Sequence, residues 1–579
     1  MVGTELDISE IVRRLERMVV MLEILGANPF KARAFENGAR AVESLGGELR
    51  QRIEAGTLTD VRGIGASLAK IIGEFVTTGT AKEYDELCAQ VPATLLDLTQ
   101  IPGLGPKKIK ALYEQLGVQS IPELESAARA ERVRTLKGFG VKSETEILGG
   151  IERLRKFQGR YRRDVAEAVA ERFVLALRAA PGVERVELAG SYRRGLETVG
   201  DLDLLCATRD PEAARAAFLA VSGIREREAE GETKCRVIAD EGIGVDLRLI
   251  APASFTAALL YFTGSKEHNT RMRGIAKDRG LKLNEYGLWT ADEKALPLAD
   301  ERAGYQHLGL EFVPAELRED RGEFEAAARG PLARLVELSD LRGTLHCHTT
   351  ASDGRHTLRE MAAAARALGW SYLGIADHSR SAAYAGGLSI ERLRAQRVDI
   401  GALNREFADF KIFQGVESDI LADGALDYPD DVLAELDYVV ASVHAGFSQS
   451  RADQTQRIER ALRHPATTVW GHPTGRLLLK RDGYDLDLDH LLAVAAAEGV
   501  IVEINASPYR LDLDWRWGER VRALSLLVGI HPDAHSTDGL ADVRHGISTA
   551  RKAGLTAAQV ANTRELVEFS ALMRRRRSR

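Results

Sequence analysis

Gly190-Ser191-Tyr192-Arg193-Arg194-Gly195-Leu196-Glu197-Thr198-Val199-Gly200-Asp201-Leu202-Asp203-Leu204-Leu205 is the stretch on which the fold turns. Read as a strand from Asp201 onward, it alternates acids with leucines, so Asp201 and Asp203 share one face. Two carboxylates so close repel unless a cation lies between them. Hard oxygen donors of this kind suit magnesium, which bridges carboxylates and substrate phosphates. Upstream, Gly190-Ser191 followed by arginine makes a small donor-rich turn able to hold a triphosphate. Downstream, Asp246 in Gly244-Val245-Asp246-Leu247-Arg248 can complete the site from a neighbouring strand. The set predicts a nucleotidyltransferase, with two cations activating a hydroxyl and stabilising departing pyrophosphate in an in-line displacement.

Upstream of this stretch the chain reads as short amphipathic helices broken by glycine turns. One pattern recurs: Val61-Arg62-Gly63-Ile64-Gly65, Ile101-Pro102-Gly103-Leu104-Gly105 and Leu136-Lys137-Gly138-Phe139-Gly140. Glycines there permit a tight turn, so that amides opening the next helix face an anion. This is the logic of a helix-hairpin-helix, which holds DNA backbone without reading bases. Gly63, Gly65, Gly103 and Gly105 are the DNA-binding candidates; the third copy lacks a clean basic follow-up. From 151 to 320 the pattern turns to mixed α/β, with strand-like Val186–Leu188, Asp201–Ala207 and Val245–Ile250.

Downstream, chemistry changes again: eleven of the thirteen histidines lie after residue 339. Seven apolar runs end in polar groups: Thr344–His348, Leu373–His378, Phe413–Glu417, Val439–His444, Thr468–His472, Val500–Asn505 and Leu526–His535. Helical segments such as Thr357–Leu368 and Leu491–Ala497 separate them, which predicts a (β/α)7-type barrel. Ligand-type residues at strand C-terminal ends mark the rim where barrel active sites assemble. Nine such residues stand out: His346, His348, Asp353, His378, Glu417, His444, His472, Asp533 and His535. Imidazoles mixed with carboxylates suit zinc, manganese or iron rather than magnesium alone. Cys347 alternates away from its histidine neighbours and reads as packed; His464, His490 and His545 read as satisfied or surface residues.

The 579 residues exceed one core and imply three to five folding units. Hydrophobic content of 45% and charged content of 28% are ordinary for globular protein. Neither a signal pattern nor an apolar run of roughly 18 residues is present, so no membrane role is expected. The four cysteines form no CxxC pair, which predicts a reducing, cytoplasmic setting without disulfides. Net charge is −6, yet residues 151–194 are rich in Arg and Lys and the chain closes on Arg574–Arg577 and Arg579, read as a solvated basic tail.

Residues 1–320 resemble the DNA polymerase X family, which includes polymerase beta. The resemblance rests on the stretch from Gly190 to Asp203, on Tyr261-Phe262-Thr263-Gly264-Ser265, and on Asn269, Arg273 and Asn284-Glu285-Tyr286. It implies catalytic, metal-binding roles for Asp201, Asp203 and Asp246. It further implies nucleotide contacts from Gly190, Ser191, Arg194, Tyr261, Phe262, Gly264, Asn269 and Arg273. Three positions depart from the family. Lys266 stands where an acid is usual, Gly244 replaces an arginine two residues before the third acid, and Ile71 occupies the place of the Schiff-base lysine, with Lys70 one residue off.

Residues 340–570 resemble the PHP (polymerase and histidinol phosphatase) family. That resemblance implies three divalent metals, zinc, manganese or both. His346, His348, Glu417 and Asp533 would hold the first, Glu417, His444 and His472 the second, and Asp353, His378 and His535 the third. Together the two resemblances imply a multidomain α+β and α/β protein. Its expected parts are helical helix-hairpin-helix regions over 1–82 and 83–150, a nucleotidyltransferase palm over 151–251, and a thumb-like nucleotide-selection subdomain over 252–320. A linker over 321–338, the PHP barrel over 339–572 and a basic tail over 573–579 complete the layout. The expected function is gap filling in DNA repair on gapped or primer-template DNA with dNTPs and magnesium or manganese, joined to a 3′→5′ exonuclease. A cytoplasmic, nucleoid-associated monomer is expected. Two readings compete: a polymerase with a purely structural PHP domain, and a small-molecule phosphatase with a DNA-docking module.

Overall fold

The computed structural model describes residues 8–45, 49–61, 63–101 and 103–577, and the chain divides into two compact units, residues 1–158 and 159–579. In the first unit, Ile11, Leu15, Met18 and Leu22 recur at helical spacing along Ile8–Leu25 and are buried. They share one core with Val42, Ile72, Phe75, Ile109 and Leu112. The helical region expected to end at 150 runs on to 158, because the helix Val141–Phe157 crosses that point unbroken.

The three glycine motifs take one shape. Each follows a short 3-10 turn (Leu58–Asp60, Asp97–Gln100, Val133–Thr135) and opens a helix (Ala66–Thr78, Pro106–Leu116, Val141–Phe157). The first glycine of each pair is left-handed, at φ 99° for Gly63, 84° for Gly103 and 90° for Gly138, which side chains rarely tolerate. On the helix Ala66–Thr78, Ile71 is buried in the core and Lys70 is exposed beside Glu74.

The second unit opens with a five-stranded sheet in the spatial order Val183–Leu188, Asp201–Thr208, Gly244–Ile250, Lys234–Ala239 and Ile224–Glu230. Asp201–Thr208 and Gly244–Ile250 run parallel, with Asp203 opposite Asp246. Leu202 and Leu204 point the other way into a core with Phe173, Phe218 and Val245. The helices Phe255–Thr263 and Lys266–Asp278 and a small sheet of Leu281–Asn284, Gly287–Thr290 and Ala295–Leu296 follow. The expected linker is only partly one. Helix Glu323–Arg329 buries Phe324 and Ala327 against Tyr305 and Leu308, so 321–329 belongs to the thumb-like core, while Val336 joins the barrel core.

The C-terminal region is a parallel barrel of seven strands where seven were expected. Gly343–Thr344, Tyr372–Ile375 and Lys411–Gln414 form one sheet; Glu417–Asp419, Val440–Ser442, Val469–Trp470, Ile501–Asn505 and Val528–His531 form the other. Lys411–Gln414 and Glu417–Asp419 are one strand interrupted at Gly415-Val416. Parallel bridges His378–Glu417 and Cys347–Ala534 join the sheets at the ligand end. At the opposite end Leu345, Tyr372, Phe413, Tyr438, Val469 and Ile501 point inward and are plugged by Phe569 and Met573 of the helix Leu566–Arg577. Phe569 stacks on Tyr372 at 4.4 Å between centroids, and burying such a ring contributes roughly 1.5–3 kcal/mol. The basic tail expected over 573–579 thus begins within an element: the helix runs to Arg577 with Met573 buried, and residues 578–579 fall outside the described residues.

Candidate active sites in the palm and the barrel

Asp201 and Asp203 lie on one face of their strand, and the parallel register brings Asp246 beside Asp203. Burial first, then Asp201 and Asp246, pushes the Asp203 carboxyl up to about 6. Crowded acids of this kind fit divalent cations. Lys234 lies 3.0 Å from Asp246 Oδ1, and Arg236 contacts the other oxygen of the same carboxylate. Arg236 comes from the antiparallel neighbour, where it pairs with Asp246. It supplies the guanidinium whose usual place Gly244 vacates. Sequence reasoning missed it, since nothing local marks a residue one hairpin away.

Gly190 sits at φ 58°, and a β-carbon on it would lie 2.2 Å from Asp203 Oδ2, so the turn can press against the acids only as glycine. Ser191 follows in the short helix Gly190–Arg193. Arg194 donates through Nε to Glu319 (3.0 Å) and through Nη1 to the Thr263 carbonyl (2.6 Å), which brings it beside Gly264. Arg193 is tied to Glu301 at 2.6 Å. Tyr261 and Phe262 meet edge to face at 5.1 Å between centroids, and Asn269 donates to the Tyr261 carbonyl. Arg273 is exposed one turn beyond Asn269.

In the barrel all nine expected ligands converge. Glu417 stands at the centre: its Oε1 lies 3.2 Å from His346 Nε2, 3.2 Å from His444 Nε2 and 2.9 Å from His472 Nε2. Its Oε2 lies 2.9 Å from His378 Nδ1. Asp533 Oδ1 is 3.2 Å from His348 and 3.5 Å from His346, while Asp353 is 3.3 Å from His535 and 3.6 Å from His378. Ligand atoms cluster as His346, His348 and Asp533, as His378, Glu417 and His444, and as His348, Asp353, His378 and His535. These groups differ from the implied sets: His348 and His378 each belong to two of them, Glu417 to one, and His472, although it touches Glu417, to none.

The donor set fits metal cations. His346 Nε2, both ring nitrogens of His348, and His378 Nδ1 are buried with no hydrogen-bond partner, although such groups are normally satisfied. Burial alone would depress His378, His444 and His535, yet Glu417, Asp353 and Asp533 hold them up to about 10, about 9 and about 9. The acids call for positive charge here. His346, His472 and Asp533 adopt positive φ (55°, 26° and 55°), strain of a kind that clusters at functional sites.

Residues behind the ligands escaped the sequence reading. Glu503, fully buried, takes His346 Nδ1 at 2.6 Å and the His472 amide at 2.6 Å, which fixes the ring and leaves Nε2 facing the site. Asp419 does the same for His444 Nδ1. Asp419 alternates with the ligand Glu417 on one strand, a signal that could have found it, whereas Glu503 lies on Ile501–Asn505, a strand that carries none of the nine ligands. Cys347 is packed in the outer core, as expected, and His464 and His490 pair with Asp430 and Glu459 at the surface. His545 is buried near Glu167 and Asp542.

The helix-hairpin-helix domain family matches residues 8–81, the SAM-like helix-hairpin-helix tandem 95–153, the DNA polymerase beta thumb 258–319 and the PHP domain 344–507. A Bacillus subtilis protein, DNA polymerase/3'-5' exonuclease PolX, is 39% identical over 571 residues, covering 98% of this chain and 99% of its own. This chain belongs to the PHP-bearing family X DNA polymerases. Rat DNA polymerase lambda is 24% identical over 53% of the chain, and a probable phosphatase of Thermoanaerobacter is 25% identical over 28%. As a family X polymerase the chain extends its tandem match across the third glycine turn, and the geometry makes that turn equivalent to the other two. Asp533 and His535 lie beyond the matched PHP span and are joined to it by the barrel's closure.

Proposed function

We propose that this chain fills short DNA gaps during repair by nucleotidyl transfer in the palm and trims 3′ ends by phosphodiester hydrolysis in the PHP barrel. The observation that carries this reading is that the three palm acids lie together, and the barrel's histidines and carboxylates cluster, on a chain that matches a polymerase/exonuclease over nearly its whole length.

Asp201, Asp203 and Asp246 hold magnesium or manganese, and the nine barrel residues hold zinc, manganese or both, a preference supported by the imidazoles. Divalent cations at these sites supply charge neutralisation and Lewis acidity. Gly190, Ser191 and Arg194 hold the triphosphate of an incoming dNTP; Tyr261, Phe262, Gly264, Asn269 and Arg273 border its sugar and base. Gly63, Gly65, Gly103 and Gly105, together with Gly138 and Gly140, let backbone amides approach DNA phosphates; no atom lies within 4 Å of a β-carbon built at Gly65, Gly103, Gly105, Gly138 or Gly140, leaving that side open. Deoxyribose-phosphate lyase activity has no support, because Lys70 faces away from the core position that Ile71 fills. No helix among the described residues is long and apolar enough to cross a membrane. A monomer working at the nucleoid completes the reading.

The test is a gapped duplex supplied with dNTPs and manganese, comparing wild type with Asp201→Ala/Asp203→Ala and His346→Ala/His348→Ala. The first variant is expected to lose extension and keep degradation, and the second the reverse. Extension by the first or degradation by the second refutes the assignment. A histidinol-phosphate-like monoester outcompeting DNA 3′ ends would favour the phosphatase reading instead.

A further inference from the structure

The loop that carries Arg194 leans on the barrel. Lys552, buried on the barrel helix Val543–Lys552, donates to the Arg194 carbonyl (3.0 Å), the Glu316 carbonyl (3.3 Å) and Glu319 Oε1 (2.6 Å). Glu319 Oε1 is the same oxygen that receives Arg194 Nε. The next residue, Gly195, meets Ser548 of that barrel helix: a β-carbon there would lie 3.1 Å from its hydroxyl. Glu197, buried, accepts from the indole of Trp515 (3.1 Å) and from Arg516 (3.3 Å) and Arg476 (3.4 Å), all barrel residues. Lys552 also lies over the Trp515 ring, 4.4 Å from its centre.

This arrangement has an electrostatic consequence. A carboxylate shared by two cations leaves one positive charge uncompensated. With Lys552 in place, Glu319 does not fully neutralise Arg194, and the guanidinium keeps a net attraction for an anion. Without it, Glu319 pairs with Arg194 alone and competes directly with a triphosphate. The nearby Glu316 is engaged by Arg551 at 2.6 Å and does not restore the balance.

We infer that Lys552 of the PHP barrel is a positioning residue for the polymerase, holding Glu319 and the Arg194 backbone so that Arg194 presents its charge to the triphosphate of the incoming nucleotide, with Trp515 bracing the same loop through Glu197. The inference rests on the assignment of Arg194 to the triphosphate. The barrel therefore serves nucleotide addition through its packing, independently of its metals.

The test uses the full chain in single-nucleotide gap filling, with KM for dNTP and kcat measured separately and 3′-end degradation measured without dNTPs. Lys552→Met is expected to raise KM for dNTP about tenfold, as for loss of a charge-assisted hydrogen bond, with degradation changed less than about twofold. Lys552→Arg should restore most of the difference. Trp515→Phe, which keeps the ring and removes the donor to Glu197, should raise KM by a smaller factor and decides the matter if Lys552→Met fails to fold. An unchanged KM in Lys552→Met or, where that variant does not fold, in Trp515→Phe overturns the inference. So does an equal loss of both activities that Lys552→Arg does not rescue, the signature of a merely structural lysine. Failure of the underlying assignment reads differently: Arg194→Gln would then leave KM for dNTP at the wild-type value.

Discussion

Arg236 occupies the space that Gly244 leaves open: a β-carbon on Gly244 would lie 2.6 Å from Arg236 Nη2, and from there the guanidinium reaches Asp246. Arg236→Ala is expected to lower kcat for nucleotide addition about tenfold, the worth of one charge-assisted hydrogen bond to a catalytic acid. Gly244→Ala should act in the same direction by displacing the arginine. Single-turnover extension checks both; rates within twofold of wild type would show that Asp246 needs no such partner.

Gly190 and Asp203 are pressed together closely enough that any side chain at 190 must displace the acid. Gly190→Ala should cost extension at least about a hundredfold, as misplacement by an ångström commonly does, while 3′-end degradation persists. The contrast between the two assays is the readout, since a global defect would lower both.

Tyr384 is 75% exposed at the edge of the barrel site, with its ring 6.2 Å from that of His378. A terminal base stacked there would be held beside the metals. Tyr384→Ala is expected to slow degradation of single-stranded 3′ ends about tenfold, in line with the loss of one base stack. Hydrolysis of a small phosphodiester lacking a base should not change; an equal drop on both substrates would assign the tyrosine to the chemistry instead.

Glu301 lies between Arg193 and Arg318, at 2.6 Å and 2.7 Å. Burial would raise its carboxyl, but the two guanidiniums hold it down to about 2. A depressed acid stabilises the fold above its unfolded value of 4.5 and gives that up as pH falls toward 2. Glu301→Gln should therefore lower Tm at neutral pH and flatten the decline of Tm between about pH 4.5 and the acid limit of folding. Parallel Tm curves for the two proteins would contradict this.

The features legible in the sequence are those whose partners lie at fixed short spacing. Alternation put Asp201 with Asp203 and His346 with His348, and it sent Cys347 into the outer core. Strand ends collected the nine barrel ligands because a parallel barrel gathers all its carboxyl ends on one rim. Arg236 and Glu503 escaped because each acts across a strand pairing, and pairing leaves no trace in local pattern. Glu323–Arg329 was misread as linker because its charged and Ala-rich composition hides the two positions, Phe324 and Ala327, that anchor it. The third glycine turn was discounted for its flanking residues, although the left-handed Gly138 alone dictates the same bend.

Phe569 and Met573 close the lower end of a barrel whose ligands sit at the upper end. In a chain made from its N-terminus, the palm leaves the ribosome long before these two residues. Yet the loop bearing Arg194 rests on Trp515, Ser548 and Lys552, barrel residues that come much later in the chain. That loop therefore has its full set of contacts only once the C-terminal part of the chain has been made.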